Sequence, residues 1–238
     1  MRIPPVPHRW NVTPKRAVAI QRRLAGDVVT QGSVPRLRLV AGADMAFSTD
    51  RATCIAGVVV WDVASRQVVE HCVVARPARF PYVPGLLSFR EMPALLAALR
   101  GLQREPDVFL FDGQGLAHPR RLGLACHAGV LLDRPAIGCA KSRLVGEHAE
   151  PDPAAGSFER LLDGGDQIGA VLRTQDGIKP VFVSIGHRVS LAESIRIVLA
   201  SVTRYRLPEP TRLADQLVAR VRRSGSMPAR ADDVVAPL

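Results

Sequence analysis

Residues 37–74 read LRLVAGADMAFSTDRATCIAGVVVWDVASRQVVEHCVV, and the fold turns on this stretch. Apolar and β-branched residues fill three runs, Leu37–Phe47, Ala52–Val63 and Gln67–Val74, which predicts three successive strands. Only Ala64-Ser65-Arg66 separates the second run from the third, a connection short enough for a hairpin, so these neighbours run antiparallel. In the first run, Leu37, Leu39 and Ala41 alternate with Arg36 and Arg38, and the alternation weakens after Val40. That predicts burial on both faces near Asp44, where an ionised carboxylate is costly unless paired or bound to a cation.

Upstream, Thr13 is a natural N-cap and Pro14 suits the first helical position of a helix over Thr13–Ala25, with Ala17, Ile20 and Leu24 on one face. Downstream, the three prolines of Pro77–Pro84 break the pattern. A helix over Phe89–Leu99 follows, with Ser88 and Glu91 spaced as a capping box. Val108–Phe111 is a short apolar strand that ends at Asp112 and runs into the loop GQGLAHPRR. A helix near Leu122–Leu132 leads to a strand at Ala136–Cys139. After a polar segment containing Asp152, Pro153, Gly164 and Gly165, β-like runs occupy Gln167–Leu172 and Pro180–Ser184. Ser190 and Glu193 form a second capping box opening Leu191–Ser201. Thr211–Arg223 reads as a final basic helix and Ser224–Leu238 as a frayed tail. No internal repeat and no long linker divides the chain, so residues 1–238 are expected to form one domain, with a core over about 13–223 and a flexible tail over about 224–238. The order β-β-β-α-β-α-β-α is the ribonuclease H-like arrangement. It predicts an α/β fold with a central mixed sheet, three antiparallel strands followed by parallel strands, flanked by helices.

Composition narrows the functions open to such a fold. Lys and Arg number 32 against 22 Asp and Glu, a net charge of +10, and the isoelectric point is near 10.6. Lys15, Lys141 and Lys179 are the whole lysine complement, so the basic surplus is almost all arginine. Such a surplus favours polyanionic partners, although an arginine-rich surface also serves solubility alone. A hydrophobic content of 47% excludes a wholly disordered chain. No uncharged apolar stretch approaches the roughly 18 residues of a membrane span. Pro4, Pro5 and Pro7 stand where a secretion signal would need an apolar helix. Cys54, Cys72, Cys126 and Cys139 form no CxxC pair, which argues against a zinc ribbon or a redox motif. The expectation is a soluble, cytoplasmic protein with no membrane partner, its cysteines free thiols.

Three acids stand out against this basic background. Each has an ordinary explanation: Glu91 could close its capping box, Asp112-Gly113 is a common turn pair, and Asp44 could find an ion-pair partner. Taken together, one acid on the first strand, one on the first core helix and one ending the fourth strand can converge in this topology. Ligands gather at the carboxyl ends of parallel strands in open α/β sheets. A few carboxylates around an open position suit Mg²⁺, and two such ions about 4 Å apart would clamp the attacking and leaving oxygens of a phosphoryl displacement.

Five blocks carry a family resemblance: VAGADMAFS (Val40–Ser48), FPYVPGLLSFRE (Phe80–Glu91), FDGQGLAHPRRLGLACHAG (Phe111–Gly129), IGCAKSRLVG (Ile137–Gly146), and SIGHRVSL with RYRLPEPTRLAD (Ser184–Leu191, Arg204–Asp215). On them the chain resembles the endonuclease V family of deoxyinosine-directed DNA repair nucleases. The resemblance implies Mg²⁺-dependent hydrolysis, with Mn²⁺ as a substitute, of the second phosphodiester bond 3′ to deoxyinosine, leaving 3′-hydroxyl and 5′-phosphate ends. That is the activity of a deoxyribonuclease V. It assigns Asp44, Glu91 and Asp112 to the metal, His118 and Lys141 to the metal site and scissile phosphate, and Asp215 to a position near the metal centre. It makes Pro81, Tyr82, Val83 and Pro84 a wedge that enters the base stack, and Gly85, Leu87, Gly113 and Gly138 the pocket for a flipped base. Prolines on both sides stiffen Tyr82, and glycines let backbone approach a base closely. Gln114 departs from the pattern, standing where Asn or His is familiar.

The implied partner is DNA carrying deoxyinosine or other deaminated or mismatched bases, met by a monomer associated with the nucleoid. Inosine-containing RNA and branched DNA remain alternative substrates for the same fold, since no motif exposes a contact to the ribose 2′-hydroxyl. A non-catalytic nucleic-acid-binding module is the reading from a different class.

Overall fold

The computed structural model describes residues 1–224. The frayed-tail reading of 224–238 falls, apart from Ser224, outside the described residues. Helix α1 covers Pro14–Ala25, and Thr13 caps it as expected by accepting a hydrogen bond from the Arg16 amide. Strands β1 (Leu39–Phe47), β2 (Thr53–Asp62) and β3 (Gln67–Pro77) follow, then α2 (Leu87–Gly101), β4 (Val108–Phe111), α3 (Leu124–Leu132) and β5 (Ala136–Ala140). Strands β6 (Phe158–Asp163), β7 (Asp166–Leu172) and β8 (Val181–His187) precede the helices α4 (Leu191–Ala200) and α5 (Glu209–Ser224).

All eight strands join one sheet in the order β3-β2-β1-β4-β5-β8-β7-β6. β1, β2 and β3 form the antiparallel meander, while β1–β4 and β4–β5 pair in parallel. The expected parallel half stops there. β8, β7 and β6 continue the sheet antiparallel, because no helix lies between β5 and β8 to carry a parallel crossover. β6 was not expected as a strand. Its sequence FERLLD buries only Leu161, so the charge-rich edge hides the alternation that marks a buried strand.

Each face of the sheet has its own core. Ala41, Ala43, Val58 and Val60 turn toward α2 and α3, meeting Met92, Leu95 and Leu99. Val40, Val108, Leu110 and Ile137 turn the other way, toward Ile195 and Val198 of α4. α5 lies over β2 on this second side, with Leu217 on Val59 and Val218 on Ile55. α1 caps α2 and α3 from outside through Ala17, Ile20 and Leu24 against Phe89, Leu122 and Cys126.

The capping box at Ser88 and Glu91 does not form. α2 begins one residue before Ser88, its N-cap is Leu86, and no side chain caps it. Ser88 Oγ instead meets His127 Nδ1 of α3 at 2.9 Å, a partner far away in sequence that draws the hydroxyl off the helix end. Glu91 is thereby released from any capping duty. At α4 half of the expected box forms: Ser190 Oγ accepts from the Glu193 amide, while Glu193 receives the Val34 amide and pairs with Arg196. The cysteines are free, as expected, and no helix among the described residues is long and apolar enough to cross a membrane.

One glycine fixes how α5 meets the sheet. A Cβ on Gly42 of β1 would lie 2.0 Å from the Pro210 carbonyl carbon, so the start of α5 presses directly onto the strand backbone. Over-packing of this kind against rigid backbone costs about 3 kcal/mol. We expect Gly42→Ala to lower the melting temperature by about 6–12 °C in a thermal melt followed by circular dichroism. An unchanged melt would show that the helix start is free to move aside.

Candidate active site

The parallel pairing of β1 with β4 ends at Ala43 and Phe111. The next residue on each strand is a carboxylate: Asp44 on β1, and Asp112 as the chain leaves β4. They stand side by side, with the Asp112 amide donating to the Ala43 carbonyl at 3.4 Å. Glu91, buried on α2, is close enough for its charge and that of Asp44 to oppose each other. Asp215 on α5 is a further acid near Asp44, brought there by the seating of α5 on β1. Arg212, one turn before it on α5, pairs instead with Glu209 at 2.6 Å.

The electrostatics follow from this crowding. Burial, then the charges of Asp112 and Asp215, push the Asp44 carboxyl up to about 7. Burial, then Asp44, push Glu91 up to about 8. Both acids therefore keep their protons to a higher pH than ordinary carboxyls, and added positive charge would favour their ionised forms. Lys141, just beyond β5, supplies one such charge, with its Nζ 2.6 Å from Asp112 Oδ2. Burial works against its ammonium, but the hydrogen bond and charge of Asp112, with Asp215 and Asp44 behind, raise its pKa. Among the described residues no three His, Cys, Asp or Glu side chains form a ready-made ion cage. The donor set nevertheless fits a hard divalent cation: oxygen ligands only, adjacent, and short of compensating charge.

Two cavities meet at these acids. An open groove of about 780 Å³ is lined by Asp44, Asp215, Arg51, Arg90 and Arg222. A deeper pocket of about 460 Å³ is lined by Asp112, Lys141, Gly85, Gly113, Ser88 and Gln114 among others. Tyr82 and Leu87 border both. Tyr82 is 67% exposed at the tip of the proline loop, with Pro81 and Pro84 exposed and Val83 half-buried beside it. Gly85, Leu87 and Gly113 line this pocket, and Gly138 does not. A Cβ on Gly138 would lie 2.5 Å from the Gly115 nitrogen and 2.6 Å from the Gly113 carbonyl. Its bare backbone is the bed on which the loop after β4 rests, one layer beneath the pocket.

His118 also lines the pocket, yet both ring nitrogens are engaged away from the acids. Nε2 donates to the Gly85 carbonyl at 3.1 Å, and Nδ1 accepts from the Arg120 amide at 3.1 Å. Burial, then the charge of Arg120, lower its pKa to about 4, so it is neutral. The Gly85 carbonyl is a hub, also receiving Arg120 Nη2 at 2.7 Å and Gln21 Nε2 at 2.9 Å. Arg120 is committed here to the fold. Arg121 is likewise paired with Asp163 at 2.7 Å.

Sequence reasoning missed Gln21, His8, Ser88 and His127 as members of this neighbourhood. Gln21 carried a signal, a polar residue one turn after Ala17 on the apolar face of α1, and it is fully buried. His8 Nε2 lies 3.0 Å from His127 Nε2, and the His8 ring packs against Trp10 and Phe89.

Comparison with known proteins places this geometry. The family model described as Endonuclease V matches residues 22–216. Endonuclease V of Trichormus variabilis is 50% identical over 214 residues, covering 90% of this chain and 97% of that protein. The crystal structure of endonuclease V from Streptomyces avermitilis superposes with a TM-score of 0.87 at 44% identity, over 92% of this chain and 97% of that one. Endonuclease V of Ciona intestinalis, crystallised with a 24mer DNA containing an inosine followed by a ribo-adenosine, gives a TM-score of 0.79 at 26% identity, over 89% of this chain and 98% of that one. The helix-flanked mixed sheet is accordingly ribonuclease H-like.

The hub at Gly85 can be tested on its own. Replacing Gln21 by Met keeps the volume but removes donors to Gly85 and Leu122 and the acceptor of Arg120 Nε. The Gly85 carbonyl keeps His118 and Arg120, but leaving the Leu122 carbonyl and Arg120 Nε without these partners should cost about 2–3 kcal/mol, read as a lower midpoint in urea denaturation. A midpoint equal to that of the parent would mean the hub is not what holds the loop.

Proposed function

Because the chain belongs to the endonuclease V family, a family of nucleases, we propose that it nicks DNA at the second phosphodiester bond 3′ to a deoxyinosine. The observation that carries the reading is the adjacency of Asp44 and Asp112 beneath an exposed Tyr82, between a basic groove and a base-sized pocket. The groove, with Arg51, Arg90 and Arg222 on its walls, suits the phosphate backbone. Tyr82, stiffened by its prolines, fills the gap in the stack when a base leaves it, and the pocket behind receives that base. Asp44, Asp112 and Glu91 would hold Mg²⁺, with Mn²⁺ as substitute, and the bound ion supplies charge compensation for the attacking and leaving oxygens. Asp112 orients the Lys141 ammonium, a compact donor able to hold a phosphate oxygen. Water adds to phosphorus and the bond to the 3′ oxygen breaks, so a 3′-hydroxyl and a 5′-phosphate result. His118 transfers no proton in this scheme and keeps the rim of the pocket in place.

The Ciona relative was crystallised with a ribonucleotide directly after the inosine, which favours a second reading in which a ribose in that position is accepted. Both are decided by one assay. Duplexes 5′-labelled and carrying a single deoxyinosine, with deoxyribose or ribose at the next position, are incubated with Mg²⁺ and resolved by product length. We expect cleavage at the second bond on the 3′ side, and loss of at least about a thousandfold in rate for Asp44→Ala. Full activity of that variant, or cutting on the 5′ side, would refute the assignment.

The cation has a signature independent of cleavage. Protons on Asp44 and Glu91, with pKa values raised to about 7 and about 8, compete with any metal at these oxygens. Stabilisation by Mg²⁺ should therefore grow as pH rises from 6 to 9. Thermal melts with and without Mg²⁺ across that range measure it. A melting shift that is absent or independent of pH would remove these acids from the metal site.

A further inference from the structure

Behind the pocket wall runs a chain of hydrogen bonds that reaches the N-terminal segment. Ser88 Oγ lies 2.9 Å from His127 Nδ1, His127 Nε2 lies 3.0 Å from His8 Nε2, and His8 Nδ1 lies 3.1 Å from the Arg9 carbonyl. Burial lowers the pKa of both rings, that of His127 to about 3, so each is neutral and carries one N–H. The direction of the chain is then fixed at its far end. A carbonyl can only accept, so His8 Nδ1 carries the proton and donates to Arg9. His8 Nε2 is left as an acceptor, which makes His127 Nε2 the donor to it. His127 Nδ1 is left as an acceptor in turn, and only the Ser88 hydroxyl can donate there. The proton of Ser88 is committed away from the pocket, and no donor among the described residues reaches its oxygen.

A second acceptor stands on the same cavity wall. Gln114 Nε2 donates to the Ser142 carbonyl at 2.9 Å, which fixes the orientation of the amide. Its Oε1 is buried without a hydrogen-bond partner. Gln114 is also the residue at which the sequence leaves the family pattern. Ser88 lines the pocket with its proton already spent on His127, so its oxygen can only accept, which favours a ring N–H and disfavours a lone pair.

We propose that Ser88, oriented by His127 and His8, is a specificity-determining acceptor for the ring N–H of the base held in the pocket. Hypoxanthine carries a proton on ring N1, whereas adenine presents a lone pair there. An acceptor at that point would satisfy the ring N–H of the deaminated base and set its lone pair against that of adenine N1, the situation that gives strong discrimination. His127 and His8 are positioning residues, acting only through Ser88. The inference rests on the proposed reading of the pocket as a base site.

The test is a binding ratio. Fluorescent duplexes carrying deoxyinosine, deoxynebularine (a purine with a bare N1) or deoxyadenosine at one position are titrated by anisotropy with Ca²⁺ in place of Mg²⁺. Ser88→Ala should lower the preference for deoxyinosine over deoxynebularine by about fivefold to tenfold, the size of one hydrogen bond. Ser88→Thr, which keeps the hydroxyl, should retain the preference. His8→Phe keeps the ring packing and removes the relay, and should lower the same ratio by about twofold to fivefold while leaving affinity for the adenine duplex unchanged. A merely structural role for His8 would weaken all three duplexes equally. An unchanged ratio in a normally melting Ser88→Ala protein overturns the inference. If that variant does not fold, an unchanged ratio in His8→Phe does so. A parent protein that binds the inosine and adenine duplexes equally instead overturns the base-site reading beneath it.

Discussion

Two parallel strands stop pairing at the same level, and the chemistry of the molecule depends on that stop. β1 and β4 leave their ladder after Ala43 and Phe111, so the next residue of each places a carboxylate against the other. Neither strand could be lengthened by a residue without turning its acid to the opposite face. Everything else near the site answers the resulting excess of negative charge. Glu91 and Asp44 take up protons, Lys141 settles on Asp112, and a ring of arginines stands back along the groove. The surplus of +10 in the whole chain makes this internal island of acids affordable in solution without removing its local strain.

The pocket is built by a different means, through neutral hydrogen bonds to backbone. The Gly85 carbonyl gathers Gln21, His118 and Arg120, so the loop carrying Tyr82 is anchored just where it turns into α2. The same first turn of α2 is held from behind by His127. A loop tied at its base and stiffened by prolines has little conformational entropy to lose on binding a partner. Rigidity at the base and exposure at the tip are thus two aspects of one arrangement.

Much of this was legible in the sequence because it rests on local pattern. β1 to β5 and α1 follow hydrophobic periodicity and capping chemistry, and the strand-end position of Asp112 marked it as a site residue. What stayed hidden depends on partners distant in the chain. The Ser88 hydroxyl is claimed by a histidine 39 residues away, which local spacing cannot reveal, so Ser88 and Glu91 looked like a capping box. Gly138 was expected in the pocket because glycine permits close approach. It does so here, but toward the loop after β4 rather than toward a base. β6 was obscured by its charged edge, and Gln21 by the ease with which one polar residue passes on an apolar helix face.

The contact of Pro210 with Gly42 also has a consequence in time. The first acid of the site comes from β1 and Asp215 arrives only with α5, the last helix of the described chain. A growing polypeptide emerges from its N-terminus, so the meander and its Asp44 exist long before the helix that closes over them. Until that helix is seated, the groove lacks one wall, including Asp215, Val218 and Arg222. The order of synthesis therefore completes the groove only with α5, and a chain interrupted before α5 would expose its apolar sheet face without that wall.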